Sequence, residues 1–531
     1  MRYSPRVSLK CKSPQQREAS ARLRAFGQTA PKPQSTPGAL QPAMTQPDSA
    51  SDNRSEQPGP LVTDLDGTLI EGDLLWEGIV AILAAQPWRL LQFPFWLLGG
   101  RAHFKARIAA SYTPNPSNLP YRAEALDYCR SARTAGRDVI LASASPKQWV
   151  EAVADHLGLF TAVLASGPDR NLRGREKLKA IREEIGTAAF TYMGDSKADA
   201  SLWEAAEEAI GAAPSSSAAT ILRAHPNAMT LQGPSKPSRA RAAVRALRPR
   251  QWSKNLLVFI PLLLAHRLQE IGTLGDVVIG FVLFCAVASA GYIFNDLLDL
   301  QSDRSHPNKR KRPIASGDLP VPHAFLLLAG VLVGTILAVS AWAPPLLAWM
   351  LAIYVVGTFS YSLYLKRVLL IDVILLAGLY THRILTGGVV AKVDVSPWLL
   401  AFSAFFFLSL AFVKRYLELR RAEDGGSAPA ERRAYAATDV DLVESMGLIC
   451  GFISIVVLCL FISGPDITRL YATPGLLWLA CPVMFYWISR IWFLARRGEV
   501  DEDPVLFATR DPKSYLAGLL VLAIIAAAAK W

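Results

Sequence analysis

The sequence predicts two architectures in one chain: an α/β domain, followed by an all-α polytopic membrane domain of about nine transmembrane helices. Two observations support this division. Before residue 212, short strand patterns alternate with helical patterns, which is typical of a parallel sheet. After residue 250, long apolar runs recur at about the length that crosses a bilayer. A soluble core can bury one or two such runs, but not about nine.

The strands and helices of the α/β domain follow from local patterns. "LVTD" at 61–64, "DVILASAS" at 138–145 and "FTYMGDS" at 190–196 are predicted strands, and "PKQWVEAVADHLG" at 146–158 is a predicted helix. The predicted membrane spans lie near 253–269, 274–294, 322–342, 345–365, 370–390, 397–413, 443–463, 474–494 and 514–530.

Four segments divide the chain. Residues 1–60 are rich in Pro, Ser, Gln and Arg and lack apolar periodicity, which predicts a disordered tail; a transit peptide is an alternative interpretation, but a secretory signal is not. Residues 61–212 are the predicted α/β domain. Residues 213–246 are predicted to be a linker with a basic interfacial helix, and residues 247–531 the membrane domain.

Composition and charge limit the possible function classes. The 531 residues are 51% hydrophobic and 19% charged, with a formal net charge of +12. The basic residues lie mainly in alternate loops between the apolar runs, so we expect these loops, the α/β domain and the active sites to be cytoplasmic. This distribution explains most of the charge without nucleic acid. The six cysteines include no C-x-x-C pair, and we expect neither a disulfide framework nor a zinc site.

Paired carboxylates follow the first predicted strand. Asp64 and Asp66, in "DLDGTL", suit a nucleophile beside a general acid/base. Ser143 ends a later strand, where its hydroxyl can bind a phosphate oxygen. Lys177 offers a cation for a transferring phosphoryl group. "GDSKAD" then supplies further hard oxygen ligands for Mg²⁺, Asp195 and Asp199.

These four pieces, in this order, resemble the haloacid dehalogenase (HAD) superfamily of phosphohydrolases. The resemblance implies a Rossmann-like α/β domain with a helical cap between "DLDGTL" and "VILASAS", with Asp64 as nucleophile and Asp66 as acid/base. Ser143 and Lys177 would bind phosphate, with Lys179 as the alternative to Lys177. The implied magnesium ligands are Asp64, Asp66, Asp195 and Asp199. A decayed or purely regulatory domain is the other interpretation of this region.

A second acidic cluster lies at the end of an apolar run, in "NDLLDLQSDR". On a helix Asn295, Asp299 and Asp303 are four residues apart, and Asp296 shares their face. Three carboxylates on one face repel each other, and Mg²⁺ bound to a diphosphate is a natural counter-charge. The basic residues that follow are predicted to hold the outer phosphate oxygens: Arg304, Lys309, Arg310 and Arg312.

The spacing N-D-x-x-D-x-x-x-D, followed by H-P-x-K-x-x-R-P, resembles the UbiA superfamily of intramembrane prenyltransferases. The resemblance implies that magnesium and a diphosphate donor bind at Asn295, Asp296, Asp299 and Asp303. It also places Lys366 and Asp372 in the family's second polar motif, with Asp372 counted among the catalytic residues. That motif often carries two carboxylates four residues apart, and no second acid follows Asp372 at that distance.

Further segments resemble the decaprenyl-phosphate phosphoribosyltransferase branch of that superfamily. They are "RPRQWSKNLLVFIPL", "DVILLAGLYTHRILTGG", "FVKRYLEL" and "DEDPVLFATRD". The resemblance implies that ribose 5-phosphate passes from phosphoribosyl diphosphate to a polyprenyl phosphate. Arg250 and Lys254 would hold phosphate groups of the donor or acceptor. Arg383 is predicted to face the cavity with a phosphate partner; snorkelling, or pairing with Asp372, is an equal alternative.

The sequence therefore predicts a bifunctional, magnesium-dependent enzyme of the cell membrane, the inner membrane in a Gram-negative cell. It would transfer a phosphoribosyl group to a polyprenyl phosphate, and its HAD domain would dephosphorylate the product. The alternative is an aromatic prenyltransferase with a polyprenyl diphosphate donor. A membrane anchor or transporter with a regulatory domain is the non-enzymatic alternative. The expected partners are an isoprenoid lipid, a phosphorylated sugar or prenyl diphosphate donor and the bilayer, without nucleic acid.

Overall fold

The computed structural model describes residues 59–167, 170–423, 434–465, 467–500 and 503–529. The predicted disordered tail lies outside these residues except for its last two positions. Nine spans after a cytoplasmic α/β domain would put Trp531 on the far side of the membrane, and this residue also lies outside the described ones.

A parallel sheet of six strands forms the centre of the soluble domain, in the order β3-β2-β1-β4-β5-β6. The central strand β1 pairs with β2 and β4, so that Leu61 aligns with Val139 on one side and Thr191 on the other. All three β1 residues are buried, as expected for a strand covered on both faces. The predicted α/β class is confirmed. The strands are β1 Leu61–Thr63, β2 Val139–Pro146, β3 Ala162–Ser166, β4 Thr191–Gly194, β5 Glu208–Ala212 and β6 Ala228–Leu231.

The sheet continues beyond residue 212, where the sequence predicted the domain to end. The serine-rich stretch read as a linker begins a helix instead, because the Ser215 side chain accepts a hydrogen bond from the backbone N–H of Ala218. Strand β6 follows this helix and pairs with β5. The predicted basic helix is present at Arg239–Leu247, capped by Ser238.

Helices cover both faces of the sheet, and a helical cap interrupts the chain between Asp66 and β2. Asp73 begins the cap by accepting a hydrogen bond from the backbone N–H of Leu75. The helices of the soluble domain are α1 Leu74–Ala85, α2 Phe93–Leu98, α3 Gly100–Ser111, α4 Ala123–Thr134, α5 Lys147–Leu157, α6 Arg175–Ile185, α7 Ala200–Trp203, α8 Ser216–Arg223 and α9 Arg239–Leu247. A 3-10 segment, Pro87–Gln92, joins α1 to α2.

Long apolar helices make up the rest of the chain, and they make it an integral membrane protein. Short helices connect some of them, and together the long and short helices are α10 Ile260–Leu264, α11 Ile271–Leu298, α12 Leu300–Ser305, α13 Val321–Trp342, α14 Pro345–Leu363, α15 Ile371–Ala391, α16 Pro397–Glu423, α17 Val440–Ile462, α18 Ile467–Leu470, α19 Ala480–Arg496, α20 Pro504–Ala508 and α21 Pro512–Ala528. Side chains such as Val333, Ile336 and Trp349 are exposed on them, as expected for surfaces that face lipid.

The predicted count of about nine membrane helices is not confirmed. Within the described ranges, seven helices are long and apolar enough to cross a membrane. The first predicted span is instead a 3-10 segment, Pro249–Phe259, followed by the short α10. Pro261 lies inside this predicted span and lacks a backbone N–H donor, so a regular α-helix that ran through it would lose a hydrogen bond. The last predicted span is α21, which has 17 residues and is slightly shorter than the seven.

The cap of the soluble domain packs directly on the membrane helices. Val80 and Leu83 of α1 share a buried cluster with Leu297 and Leu319. The Trp76 ring lies 5.9 Å from the Phe325 ring, one turn into α13. The apolar contact therefore reaches the first turn of a membrane helix.

A buried ion pair fixes this contact. Both guanidinium nitrogens of Arg304, on α12, bind the carboxylate of Glu77, on α1, at 2.7 and 2.9 Å. Gln301 adds a hydrogen bond to the same carboxylate at 3.0 Å and another to the Tyr112 hydroxyl at 3.2 Å. The Glu77 side chain is 1% exposed and that of Arg304 is 6% exposed, so each charge depends on the other for stabilisation.

We expect Glu77→Gln to lower the free energy of unfolding by about 3 kcal/mol, because it leaves the Arg304 guanidinium buried without a counter-charge. Chemical denaturation of the detergent-solubilised chain, followed by tryptophan fluorescence, measures this loss. Asp127→Asn is the matched control, since it removes an exposed ion pair with Arg130 on the same domain. Equal unfolding midpoints for the two variants would contradict a stabilising role for Glu77.

Candidate active sites

The first site lies at the carboxyl end of the parallel sheet, where Asp64 directly follows β1. The Lys177 ammonium lies 2.7 Å from the Asp64 carboxylate and 4.0 Å from that of Asp199. Burial raises the pKa of Asp64 to about 6, while Lys177 opposes this shift. Lys177, not Lys179, is thus the lysine that the fold brings to the carboxylates.

Hydrogen bonds hold Asp66 beside Asp64. Its carboxylate accepts the Leu74 N–H at 2.8 Å, the Ser145 hydroxyl at 2.6 Å and the Ser143 hydroxyl at 3.3 Å. Burial, together with the charge of Asp73, raises the pKa of Asp66 to about 6, which suits a general acid/base near neutral pH. The sequence analysis missed Ser145, although it lies two residues after Ser143.

Asp195 and Asp199 occupy different positions in this site. Asp199 accepts four hydrogen bonds, from the Tyr192 hydroxyl, the Ser196 hydroxyl and the N–H groups of Asp195 and Ser196. Asp195 accepts one longer hydrogen bond, at 3.4 Å from the hydroxyl of Thr68. Asp199 is therefore fixed by donors, whereas the Asp195 carboxylate keeps capacity for a ligand.

The residues present fit a magnesium ion. Burial first, and then the charges of Asp64 and Asp199, raise the pKa of Asp195 to about 7. A divalent cation between Asp64 and Asp195 would remove this repulsion, and hard carboxylate oxygens are the ligands that Mg²⁺ prefers. Asp66 accepts hydrogen bonds from Leu74, Ser143 and Ser145, and its role as a magnesium ligand, like that of Asp199, stays a prediction. Across the residues that the structure describes, no group of three or more His, Cys, Asp or Glu side chains stands in a metal-binding arrangement.

These carboxylates open into a cavity of about 950 Å³. Basic side chains line it opposite the acids, among them Lys105 and Arg173, which the sequence analysis did not select. The Lys105 ammonium donates to the Ala144 carbonyl at 2.8 Å. The cavity wall also includes Ile314 and Val321 of the membrane domain. The phosphohydrolase site therefore opens at the junction between the two domains.

The second site surrounds the acidic cluster at the end of α11 and on α12. Arg312 donates to Asp303 at 2.6 Å and to Asp296 at 3.1 Å, and Arg248 also pairs with Asp296. Lys366 lies 2.6 Å from Asp299. Of the basic residues predicted to hold phosphate oxygens, the fold brings Arg312 to these carboxylates, and it adds Lys366 and Arg248. The phosphate-binding role of Arg312 stays a prediction.

Asn295 joins the same cluster through a hydrogen bond of 2.9 Å from its amide to Asp299. Arg304 is turned away and binds Glu77. Arg250 is exposed and Lys309 half-buried, and no contact between either side chain and the three carboxylates is recorded within the described ranges. The roles predicted for Arg250, Arg304 and Lys309 remain predictions.

The acidic cluster also fits a magnesium-bound diphosphate. One oxygen of Asp296, Oδ2, is buried and has no hydrogen-bond partner, which is costly unless a ligand satisfies it. Burial raises the pKa of Asp303 to about 6, with Arg312 opposing the shift. Carboxylates supplemented by Arg and Lys are the groups that bind magnesium and phosphate oxygens together.

A buried polar centre lies deeper in the membrane domain, around Arg383. Its guanidinium donates to the Asn255 side chain at 2.9 Å, the Tyr354 hydroxyl at 2.8 Å and the Leu379 carbonyl at 2.6 Å. The Tyr380 ring lies against it at 5.0 Å. Arg383 is 4% exposed, so its side chain does not snorkel to the surface. Its hydrogen-bond partners are neutral, and it does not pair with Asp372.

Lys254 and Asp372, by contrast, each pair with a residue of opposite charge. Lys254 forms an ion pair with Asp503 and lies 5.9 Å from the Tyr380 ring. Asp372 pairs with Arg415 and accepts a hydrogen bond of 2.8 Å from the Tyr435 hydroxyl. Asp372 is fully buried, and its catalytic role stays a prediction.

Residues close in sequence to this polar centre line an apolar cavity of about 470 Å³. Its wall includes Leu257, three residues after Lys254, and Ile384, which follows Arg383. Nearly all of its remaining lining side chains are aliphatic or aromatic, such as Phe407. Its volume falls in the range of ligand pockets.

These sites define a class of protein: an integral membrane transferase joined to a phosphohydrolase. Residues 256–510 match the UbiA prenyltransferase family, and residues 61–204 match the haloacid dehalogenase-like hydrolases. The chain belongs to the UbiA prenyltransferase family and carries a haloacid dehalogenase-like domain at its N-terminal side. Both predicted families are confirmed.

Relatives match over different parts of the chain. Protein y4nM of Sinorhizobium fredii is 36% identical over 464 residues, covering 87% of this chain and 89% of that protein. Nodulation protein NoeC of Azorhizobium caulinodans is 34% identical over 280 residues, covering 52% of this chain and 90% of NoeC. Decaprenyl-phosphate phosphoribosyltransferase of Mycolicibacterium smegmatis is 38% identical over 193 residues, covering 35% of this chain and 59% of that enzyme.

Solved structures resemble the two domains separately. A UbiA homologue from Archaeoglobus fulgidus bound to GPP and Mg²⁺ covers 54% of this chain and 99% of its own, at 14% identity and a TM-score of 0.41. A probable phosphoserine phosphatase from Vibrio cholerae covers 34% of this chain and 62% of its own, at 14% identity and a TM-score of 0.26.

We expect Gly67→Ala to lower the rate of p-nitrophenyl phosphate hydrolysis by about 100-fold, because a displaced carboxylate misaligns the site. Gly67 has φ +77°, and an added Cβ would overlap the Asp195 carboxylate. Gly136→Ala is the matched control, since Gly136 has φ +81° and open space around it. It should cost stability through backbone strain and leave the rate per folded molecule unchanged. Equal losses of rate in both variants would contradict this account.

Proposed function

We propose that this protein transfers a phosphoribosyl group from phosphoribosyl diphosphate to a polyprenyl phosphate and then removes a phosphate from the lipid product. The observation that carries the proposal is Arg383, a buried cation whose hydrogen-bond partners are neutral and whose neighbour in the sequence, Ile384, lines an apolar cavity. A charge at such depth is costly without an anion. The phosphate of an isoprenoid lipid would supply the anion, and its chain would fill the cavity lined by Leu257 and Ile384.

The donor would bind at the acidic cluster. Asp296, Asp299 and Asp303 would hold Mg²⁺, and Arg312 and Lys366 would bind the diphosphate oxygens. When bound, Mg²⁺ supplies positive charge that stabilises a departing diphosphate. An oxygen of the lipid phosphate forms a bond to C1 of the ribose, and the bond from C1 to the diphosphate breaks. The similarity to a decaprenyl-phosphate phosphoribosyltransferase supports this donor.

The HAD domain would then hydrolyse the 5-phosphate of the lipid product. An Asp64 oxygen attacks the phosphorus while Asp66, as the acid, gives its proton to the departing ribose oxygen. Asp66 next accepts a proton from the water that hydrolyses the aspartyl phosphate, which releases inorganic phosphate and regenerates Asp64. Lys177 and Ser143 would orient the phosphate, and Asp195 would hold Mg²⁺ with Asp64.

Both sites would face the cytoplasm. The loops next to them carry Arg248, Arg312, Lys366 and Arg367, which is the side that the positive-inside rule assigns to the cytoplasm. Phosphoribosyl diphosphate is a soluble, highly charged donor and would reach the acidic cluster from that side. The HAD domain, which packs at the same helix ends, would share its compartment.

Two labelled donors test the transferase step. Proteoliposomes with a polyprenyl phosphate should move label from phosphoribosyl diphosphate into the organic phase, whereas label from a prenyl diphosphate should not enter an aromatic acceptor. Arg383→Gln should raise the KM for the polyprenyl phosphate by about tenfold or more, because a hydrogen-bonded charge contact is lost, and Arg383→Lys should recover part of it. Transfer from the prenyl diphosphate alone would favour the aromatic prenyltransferase alternative.

A separate prediction concerns the phosphatase step. Asp64→Asn should leave phosphoribosyl transfer unchanged and make the phosphate-bearing lipid accumulate, because an amide cannot act as the nucleophile. Thin-layer chromatography of the labelled lipid measures this directly. Asp127→Asn, on the surface of the same domain, should give the wild-type product pattern. Release of phosphate from the lipid at the wild-type rate by Asp64→Asn would contradict the assigned order of steps.

A further inference from the structure

The cap of the HAD domain carries an apolar surface that its own fold does not cover. We call residues 87–98 the cap rim; they form the 3-10 segment Pro87–Gln92 and helix Phe93–Leu98. Five large apolar side chains of this short stretch are exposed, from 52% at Leu97 to 85% at Leu98. The five are Trp88, Leu91, Phe95, Leu97 and Leu98. A contiguous apolar patch of this kind is typical of a surface that contacts a membrane or another protein.

The position of the cap rim favours the membrane. The rim directly follows α1, whose Trp76 ring already contacts Phe325 inside the first turn of α13. Leu90, on the inner side of the rim, packs against the buried cluster that contains Leu328 of the same span. The exposed side of the rim is therefore continuous with the lipid-facing surface of the membrane helices.

The charges around the cap rim also match a lipid surface. Residues 78–123 contain no Asp or Glu. Arg89 inside the rim donates to the Ser111 hydroxyl at 2.8 Å, so its charge is held within the cap. Arg101 and Arg107, just beyond the rim, are exposed. Aromatic and aliphatic side chains flanked by exposed arginines are the composition of segments that lie at the boundary between headgroups and acyl chains.

The cap rim also forms part of the phosphohydrolase cavity. Leu97 and Phe104 line the same space as Asp64, and Val321, the first residue of a membrane span, lines its opposite wall. The cavity thus extends from the nucleophile to the level where a membrane helix begins, and apolar side chains of both the cap and the membrane domain lie among its largely charged lining.

We infer that the cap rim lies in the adjacent leaflet and that the HAD site takes its substrate from the bilayer. The substrate class is a lipid-linked phosphomonoester, with its phosphate at Asp64 and its chain leaving past Leu97 and Val321. The proposed contact with the leaflet is inferred from the exposed rim and does not depend on the phosphatase activity. The substrate class rests on the phosphatase activity proposed above.

Insertion is tested on the full chain in phosphatidylethanolamine and phosphatidylglycerol nanodiscs. A nitroxide label at Leu98→Cys should collide readily with oxygen and rarely with a water-soluble nickel complex, after the signal of the labelled parent chain is subtracted. Met229→Cys is the matched control, since Met229 is an exposed apolar side chain on strand β6, and its label should favour nickel. A label at 98 that favours nickel, or that neither probe reaches because a second chain covers it, would overturn the inference.

The substrate class is tested with two phosphomonoesters: hexadecyl phosphate in the nanodisc and p-nitrophenyl phosphate in solution. The double variant Leu91→Glu with Leu98→Glu should lower the rate of hexadecyl phosphate hydrolysis by about tenfold or more. It should change the rate of p-nitrophenyl phosphate hydrolysis by about twofold or less. The two substrates differ because only the lipid substrate needs the contact between the rim and the leaflet. Met229→Glu should change neither. Equal losses on both substrates, or no hydrolysis of hexadecyl phosphate by the unchanged chain, would overturn the lipid route. If the unchanged chain hydrolysed neither substrate, the phosphatase proposal would fail, and the nitroxide result would still decide the position of the rim.

Discussion

Neutralisation of the carboxylates at the end of α11 is the constraint on which the arrangement of the membrane domain depends. Asp296 and Asp303 are almost fully buried, and an isolated buried charge costs several kcal/mol, on the order of the whole stability of a domain. The chain after α12 must therefore return to bring Arg312 to both of them, and the turn after α14 must bring Lys366 to Asp299. These returns fix the ends of helices that are far apart in sequence.

The same short helix also fixes the soluble domain. Asp303 and Arg304 are neighbours on α12, yet the first binds Arg312 within the membrane domain and the second binds Glu77 of the cap. Gln301, which lies one turn before Arg304, donates hydrogen bonds to Glu77 and Tyr112 of the cap. The six-residue helix thus belongs to the donor site on one side and to the domain interface on the other. Charge pairing at the membrane site and docking of the HAD cap are consequences of one local structure.

How much the sequence predicted depends on whether the partners of a residue are local. The HAD carboxylates were predictable because parallel strands end at one edge of the sheet, so Asp64, Ser143 and Asp195 had to converge there. The partner of Arg304 was not predictable, since Glu77 lies 227 residues earlier and no local pattern links the two residues. For the same reason the sequence left two explanations of Arg383 open, whereas the fold gives it Asn255 and Tyr354 as hydrogen-bond partners. Hydropathy alone also counted the segment around Pro261 as a span, because it does not register a missing backbone donor.

The two proposed reactions do not require one shared cavity. A polyprenyl-linked product stays in the leaflet, where it moves in two dimensions and remains near a phosphatase held in the same chain, so tethering raises its effective concentration. What matters is that the HAD site reaches the leaflet that holds this product. The loop between Asp303 and Val321 contributes Ile314 and Gly317 to the wall of the HAD cavity, and Asp64 lines the same cavity. The cap therefore needs to reach down to the lipid, which is the task that an exposed apolar rim beside a basic surface is suited to perform.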